Sequence, residues 1–154
     1  HTAKATGIYL NSMLAVNEAL DAGYDEAILL TSDGLVADGS GENIFVVRDG
    51  VIATPDLSTS ILPGITRDTV TQIARSLGYD VVERSLIRAD LYLADEVFMC
   101  GTAAEVTPLR SIDGVELGVG PVTEAVRDEY LRCVRGTSVY APTWLEHVEL
   151  ELAA

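Results

Sequence analysis

The chain has 154 residues, 48% hydrophobic and 22% charged, with a formal net charge of −14 from 24 acidic and 10 basic side chains. A domain of this length buries roughly 70% of the surface its unfolded chain exposes, and the composition excludes a disordered or collagen-like polymer. No apolar run approaches the roughly 18 residues that a spanning helix needs, and the acidic field repels nucleic acid and anionic lipid, so neither is an expected partner.

In chain order, the first feature is Lys4, the only lysine, in the run HTAKATGIYLNS. A partly buried lysine moves from its ordinary pKa of about 10.4 toward a nucleophilic neutral amine and can form a Schiff base; the plainer reading is a solvated side chain. Leu10, Met13, Leu14, Ala15 and Leu20 then recur at helical spacing, which predicts an amphipathic helix over 9–22. Apolar, β-branched runs broken by Asp33-Gly34, Asp49-Gly50 and Asp113-Gly114 predict three hairpins. Asp38 and Glu42 flank a glycine-rich turn, where an acid could pair with a protonated ring nitrogen of a cofactor or simply remain solvated.

The run ILPGITRDTVTQIARSLGYD predicts a helix with Thr66 as N-cap, Asp68 in the first turn and Gly78 as terminator. The first-turn amides around Ile65 and Thr66 suit a phosphate; an ordinary capped helix explains the run equally. VVERSL and EVFMCG predict short buried strands around a helical turn at 88–93. In FMCGTAAEVTP, the small residues after the strand leave backbone amides and the Thr102 hydroxyl open to a carboxylate or phosphate oxygen, though a plain strand-to-loop junction has the same composition. PVTEAVRDEYLRCVRG starts with proline and ends with glycine, as a helix does, and PTWLEHVEL predicts a short helix anchored by Trp144. Cys100 and Cys133 lack metal-like spacing and read as two buried thiols of a reducing cytoplasm. Neither His1 nor His147 has partners at a metal-binding or catalytic spacing, so no metal site is expected.

Together, KATGIYLNS, GSGENIF, LPGITRD and YLADEVFMCGTAAEVTPLRSIDG resemble the fold-type IV pyridoxal-phosphate aminotransferases, most closely the branched-chain amino acid aminotransferases. The resemblance implies an α+β fold, a curved and mostly antiparallel sheet with packed helices, forming one cofactor-binding carboxy-terminal domain over 1–154 without the family's amino-terminal domain. It implies pyridoxal 5'-phosphate as cofactor. Lys4 matches the catalytic lysine that holds the cofactor as an imine and moves the substrate's α-proton, and Tyr9 matches the tyrosine bonded to the cofactor's phenolic oxygen. Ile65, Thr66 and Thr102 match phosphate-binding positions, with Leu62 against the ring, and Thr102 and Ala103 match the turn that faces the substrate carboxylate. Asp38 stands where the family usually has a glutamate paired to the ring nitrogen, one methylene shorter.

The activity implied is transamination of Leu, Ile or Val with 2-oxoglutarate in a cytoplasmic enzyme, a homodimer or larger, with the 154-residue chain weak or inactive alone. Two alternatives stand beside it: another fold-type IV enzyme, such as a D-amino acid aminotransferase or aminodeoxychorismate lyase, and a non-catalytic interaction domain. The pattern FMCGTAAEVTPLRSIDG favours the branched-chain group.

Overall fold

In a computed structural model, residues 6–146 and 148 are described. Helix α1 spans Tyr9–Asp21 and leads to the hairpin of β1 (Ile28–Leu30) and β2 (Val36–Gly39). β3 (Asn43–Arg48) and β4 (Val51–Thr54) form the second hairpin. α2 (Ile65–Ser76) crosses from β4 to β5 (Val81–Glu83), and α3 is the short turn Arg88–Tyr92. β6 (Glu96–Gly101) and β7 (Glu105–Pro108) are followed by the small ribbon β8 (Ser111–Ile112) and β9 (Val115–Glu116). Helices α4 (Pro121–Val134) and α5 (Ala141–Trp144) close the described chain.

The three Asp-Gly pairs do turn hairpins. Asp49 and Gly50 have φ of 50° and 77°, and Asp113 and Gly114 have 50° and 80°; two successive positive values suit the tight two-residue turn whose twist matches that of paired strands. The main sheet has the order β5-β4-β3-β6-β7, antiparallel except for the β4–β5 pair, in agreement with an α+β reading.

Strand alternation sorts the interior into two cores, one on each face of this sheet. Phe45, Val47, Phe98 and Cys100 point to the side covered by Val70 and Ile73 of α2 and Val126 of α4. Ile44, Val46, Val97 and Met99 point to the other, against Val36, Leu86, Leu91 and Ile112. Residues 43–47 and 96–100 are therefore buried in unbroken runs rather than in alternate positions, as expected for strands covered on both faces. Phe45 and Phe98 face each other across β3 and β6 and stack at 4.9 Å between ring centroids.

β6 is also tied to α4. The Glu96 carboxylate, 4% exposed, accepts from the amides of Val122 at 3.2 Å and Thr123 at 2.7 Å, a charged cap on donors that have no partner inside the helix. Gly120 before it must lack a side chain, because a Cβ there would lie 2.1 Å from Glu96 Oε1.

Three expectations need correction. The N-cap of α2 is Gly64, not Thr66; the helix begins two residues earlier, so Thr66 is buried in the first turn. β5 is an edge strand, half-buried at Val81 and exposed at Val82 and Glu83, because only β4 pairs with it. The tail helix is the single turn of α5, where Trp144 stacks on Tyr140 at 4.6 Å. Both cysteines are free and buried. Among the described residues no helix is long and apolar enough to cross a membrane.

Candidate active site

Three connections converge at the ends of β3 and β6 nearest Asn43 and Cys100, which pair with each other. The first is the Gly39–Glu42 turn between β2 and β3, with Asp38 just before it. The second is the 55–64 segment entering α2. The third is the β6–β7 turn that carries Thr102 and Ala103. Its start, Gly101, packs on the first connection: a Cβ there would meet the Gly41 carbonyl at 3.4 Å and Glu42 Cγ at 3.6 Å.

A cavity of about 370 Å³ opens against this corner and brings together Tyr9, at the start of α1, Asp38 and Leu62. Both oxygens of Asp38 are engaged. Oδ1 accepts from Asn43 Nδ2 at 2.9 Å and Oδ2 from the Leu62 amide at 2.9 Å. Burial nevertheless holds the Asp38 pKa above the usual carboxylate value; the Leu62 amide, Asn43 and the charge of Arg67 pull it down, and Glu42 pushes it up. An acid kept in that condition is stabilised in its charged form by a cation placed beside it.

At the start of α2, no side chain caps the helix among the described residues, so the amides of its first turn are presented outward with the positive end of the helix dipole. Ile65 projects its side chain to solvent, 79% exposed, while Thr66 is buried near Tyr130 of α4. Burial raises the Tyr130 pKa, so the phenol stays neutral and able to donate. Thr102 and Ala103 lie exposed on their turn, which ends at Glu105 in the left-handed region with φ of 54°.

Of the residues expected from sequence, Tyr9, Asp38 and Leu62 line one cavity, whereas Ile65–Thr66, at the start of α2, and Thr102–Ala103, on the β6–β7 turn, lie outside its lining. Lys4 lies outside the described residues. Sequence reasoning missed Asn43 and Arg67. Arg67 is 7% exposed, ion-paired to Glu83 at 2.9 Å and bonded to the Pro55 carbonyl at 2.9 Å, with Nε unpartnered among the described residues. An arginine inside a helix reads as a surface residue, and only the strand that follows α2 supplies the acid that buries it. A larger cleft of about 960 Å³, between the end of α1 and the β8–β9 ribbon, contains Arg88, Tyr92 and Asp113 but none of the expected site residues.

The family model for class IV aminotransferases matches residues 1–112. The chain belongs to that family. The class IV match covers every expected site position and leaves α4 and α5 outside it. The chain is 48% identical over 145 residues to the branched-chain-amino-acid aminotransferase of Pseudomonas aeruginosa, covering 92% of this chain and 47% of that protein. It is 49% identical over 149 residues to a probable branched-chain-amino-acid aminotransferase of Aquifex aeolicus, covering 94% and 48%. Among solved structures, the branched-chain aminotransferase of Thermoproteus uzoniensis with norvaline superposes with a TM-score of 0.92 at 53% identity, over 94% of this chain and 49% of that one. The branched-chain amino acid aminotransferase of Thermobaculum terrenum, in its PLP-bound holo-form, gives 0.90 at 47% identity, over 93% and 48%. The chain thus spans about half the length of the curated relatives it matches.

Proposed function

We propose that this chain is the cofactor-binding domain of a pyridoxal-phosphate aminotransferase that acts on branched-chain L-amino acids, with 2-oxoglutarate as amino acceptor. The observation that carries the reading is Asp38: a carboxylate at a cavity wall, its pKa raised by burial and only partly restored by its hydrogen bonds, beside a helix start that no side chain caps. A ligand with a cationic ring nitrogen at one end and a phosphate at the other suits those two features, and pyridoxal phosphate is such a ligand. When bound, it supplies the electron sink that amino-group transfer requires.

In this reading Asp38 keeps the proton on the ring nitrogen, and the Tyr9 hydroxyl donates to the cofactor's phenolic oxygen. Leu62 packs on the ring. The Ile65 and Thr66 amides and the Thr102 hydroxyl hold the phosphate, and the Thr102–Ala103 turn holds the substrate carboxylate. Lys4 would hold the cofactor and serve as the base and acid that moves a proton between the substrate's α-carbon and the cofactor. A further domain would supply an arginine to the phosphate and the remaining pocket walls, since neutral donors alone bind a phosphate about half as strongly as charge-assisted ones. The 154-residue chain alone therefore turns over weakly or not at all, and the working form is a cytoplasmic homodimer or larger assembly. The names of the relatives, all branched-chain aminotransferases, support the substrate class.

The test is borohydride reduction with pyridoxal phosphate followed by peptide mass analysis, on the 154-residue chain and on a chain extended by the amino-terminal domain. A phosphopyridoxyl mass on Lys4, lost in Lys4→Ala, is the expected result; label on the amino terminus alone, in both chains, would overturn it. Absorbance changes on adding L-Leu but not D-Ala to the extended chain are expected, and conversion of D-Ala alone would sink the branched-chain assignment.

A further inference from the structure

Asn43, the first residue of β3, is 5% exposed. Its Nδ2 donates to Asp38 Oδ1 at 2.9 Å and to the Leu62 carbonyl at 2.8 Å, while the Leu62 amide donates to the other Asp38 oxygen at 2.9 Å. These bonds form a closed triangle among three residues from three segments. Both partners of Nδ2 accept only, which fixes the carboxamide with its nitrogen toward them and its oxygen away. That oxygen faces the N-cap of α2, where a Cβ on Gly64 would stand 2.2 Å from Oδ1. One buried side chain thus touches the acid of the site, the loop that supplies Leu62, and the residue that starts the phosphate-suited helix.

We propose that Asn43 is a positioning residue, whose carboxamide sets the separation between the Asp38 carboxylate and the start of α2 so that both ends of one ring-and-phosphate ligand are met together. The consequence for the cofactor rests on the function proposed above; the triangle itself does not. Asp38 is one methylene shorter than glutamate, and its two hydrogen bonds draw it toward the 61–64 loop rather than leaving it to sample solvent. The other groups that face it are Arg67, whose charge favours the carboxylate, and Glu42, which opposes it; the neighbouring Cys100 thiol stays neutral over the working range. With the Asn43 donor gone, burial is opposed only by the Leu62 amide and Arg67.

The test begins without cofactor, by NMR on the intact chain. In the parent, one Asn43 Nδ2 proton should shift with the titration of the Asp38 carboxyl, and in Asn43→Leu, which keeps the shape and removes the donor, Asp38 should titrate at higher pH. Failure of the proton to follow Asp38, or an unchanged Asp38 titration in a folded Asn43→Leu, overturns the proposal; the parent measurement decides alone if the variant does not fold. With 4'-deoxypyridoxine phosphate, which has ring and phosphate but no aldehyde, Asn43→Leu should lose roughly tenfold more affinity than it loses for inorganic phosphate, the scale of one hydrogen bond to a charged group. Equal losses for the two probes would refute the positioning role. A chain extended by the amino-terminal domain that binds neither probe, while Asp38 still responds to Asn43, would uphold the triangle and discard the cofactor reading instead.

Discussion

The centre of the sheet and helix α1 lie at opposite extremes of the molecule. Along β3 and β6, the residues at 43–47 and 96–100 are all buried, and Phe45 stacks on Phe98. Along α1 no described side chain is buried, and Leu10, Met13, Leu14 and Leu20 are between 54% and 66% exposed. An isolated helix of this length is marginal in water, so α1 contributes an apolar surface but little to the stability of the chain. The difference teaches that the cavity walls are built differently: Asp38 and Leu62 are hydrogen-bonded to Asn43 of β3, whereas Tyr9 stands on a helix with no buried side chain among those described.

The largest expected effect comes from breaking the centre. Phe98→Ala should cost about 3–5 kcal/mol in urea-monitored stability, as full removal of a buried ring does, and a cost below about 1 kcal/mol would show that the stacked pair is not the keystone. Gly120→Ala forces a methyl onto the Glu96 carboxylate and should cost about 2 kcal/mol, read as a lower unfolding midpoint, unless α4 shifts away from β6. The Cys100 thiol sharpens the same contrast by pH. Burial pushes its pKa from 9.0 up to about 12, so the folded chain keeps it neutral while the unfolded chain ionises it. Its contribution to stability is complete below pH 9 and lost as pH rises toward 12; the decline measured over that window should be shallower in Cys100→Ala. The smallest effect belongs to α1, where Leu14→Lys should change stability by no more than about 0.5 kcal/mol, and a larger loss would mean that the exposed face is covered in solution.

What the sequence made legible was local chemistry. The Asp-Gly turns need φ values that glycine and aspartate tolerate, and they appear where the sequence places them. The end of α2 was equally plain, with Gly78 at φ of 90° just beyond it. The start was not, because a bare glycine caps it and the reason lies on β3: Asn43 occupies the space a side chain at position 64 would need. Of the site, Asp38 was visible as an acid beside a glycine-rich turn, but the depth of its burial depends on the 61–64 loop folding over it. Asn43 read as one residue of a motif, and its role exists only through partners that come from separate segments. The edge position of β5 was likewise hidden, since two valines in a row fit a central strand as well as a boundary.

The pairing of Phe45 with Phe98 also sets an order of events during folding. Between those two rings lie β4, α2, β5 and α3, so the central ladder closes only after a long excursion of chain, whereas β3–β4 and β4–α2–β5 join near neighbours. Distant contacts carry the loop-closure entropy of everything between them and form slowly. The β6–β7 turn with Thr102 and Ala103 can meet the Gly39–Glu42 turn only once that ladder has zipped, so contact order predicts that the candidate corner completes late in folding.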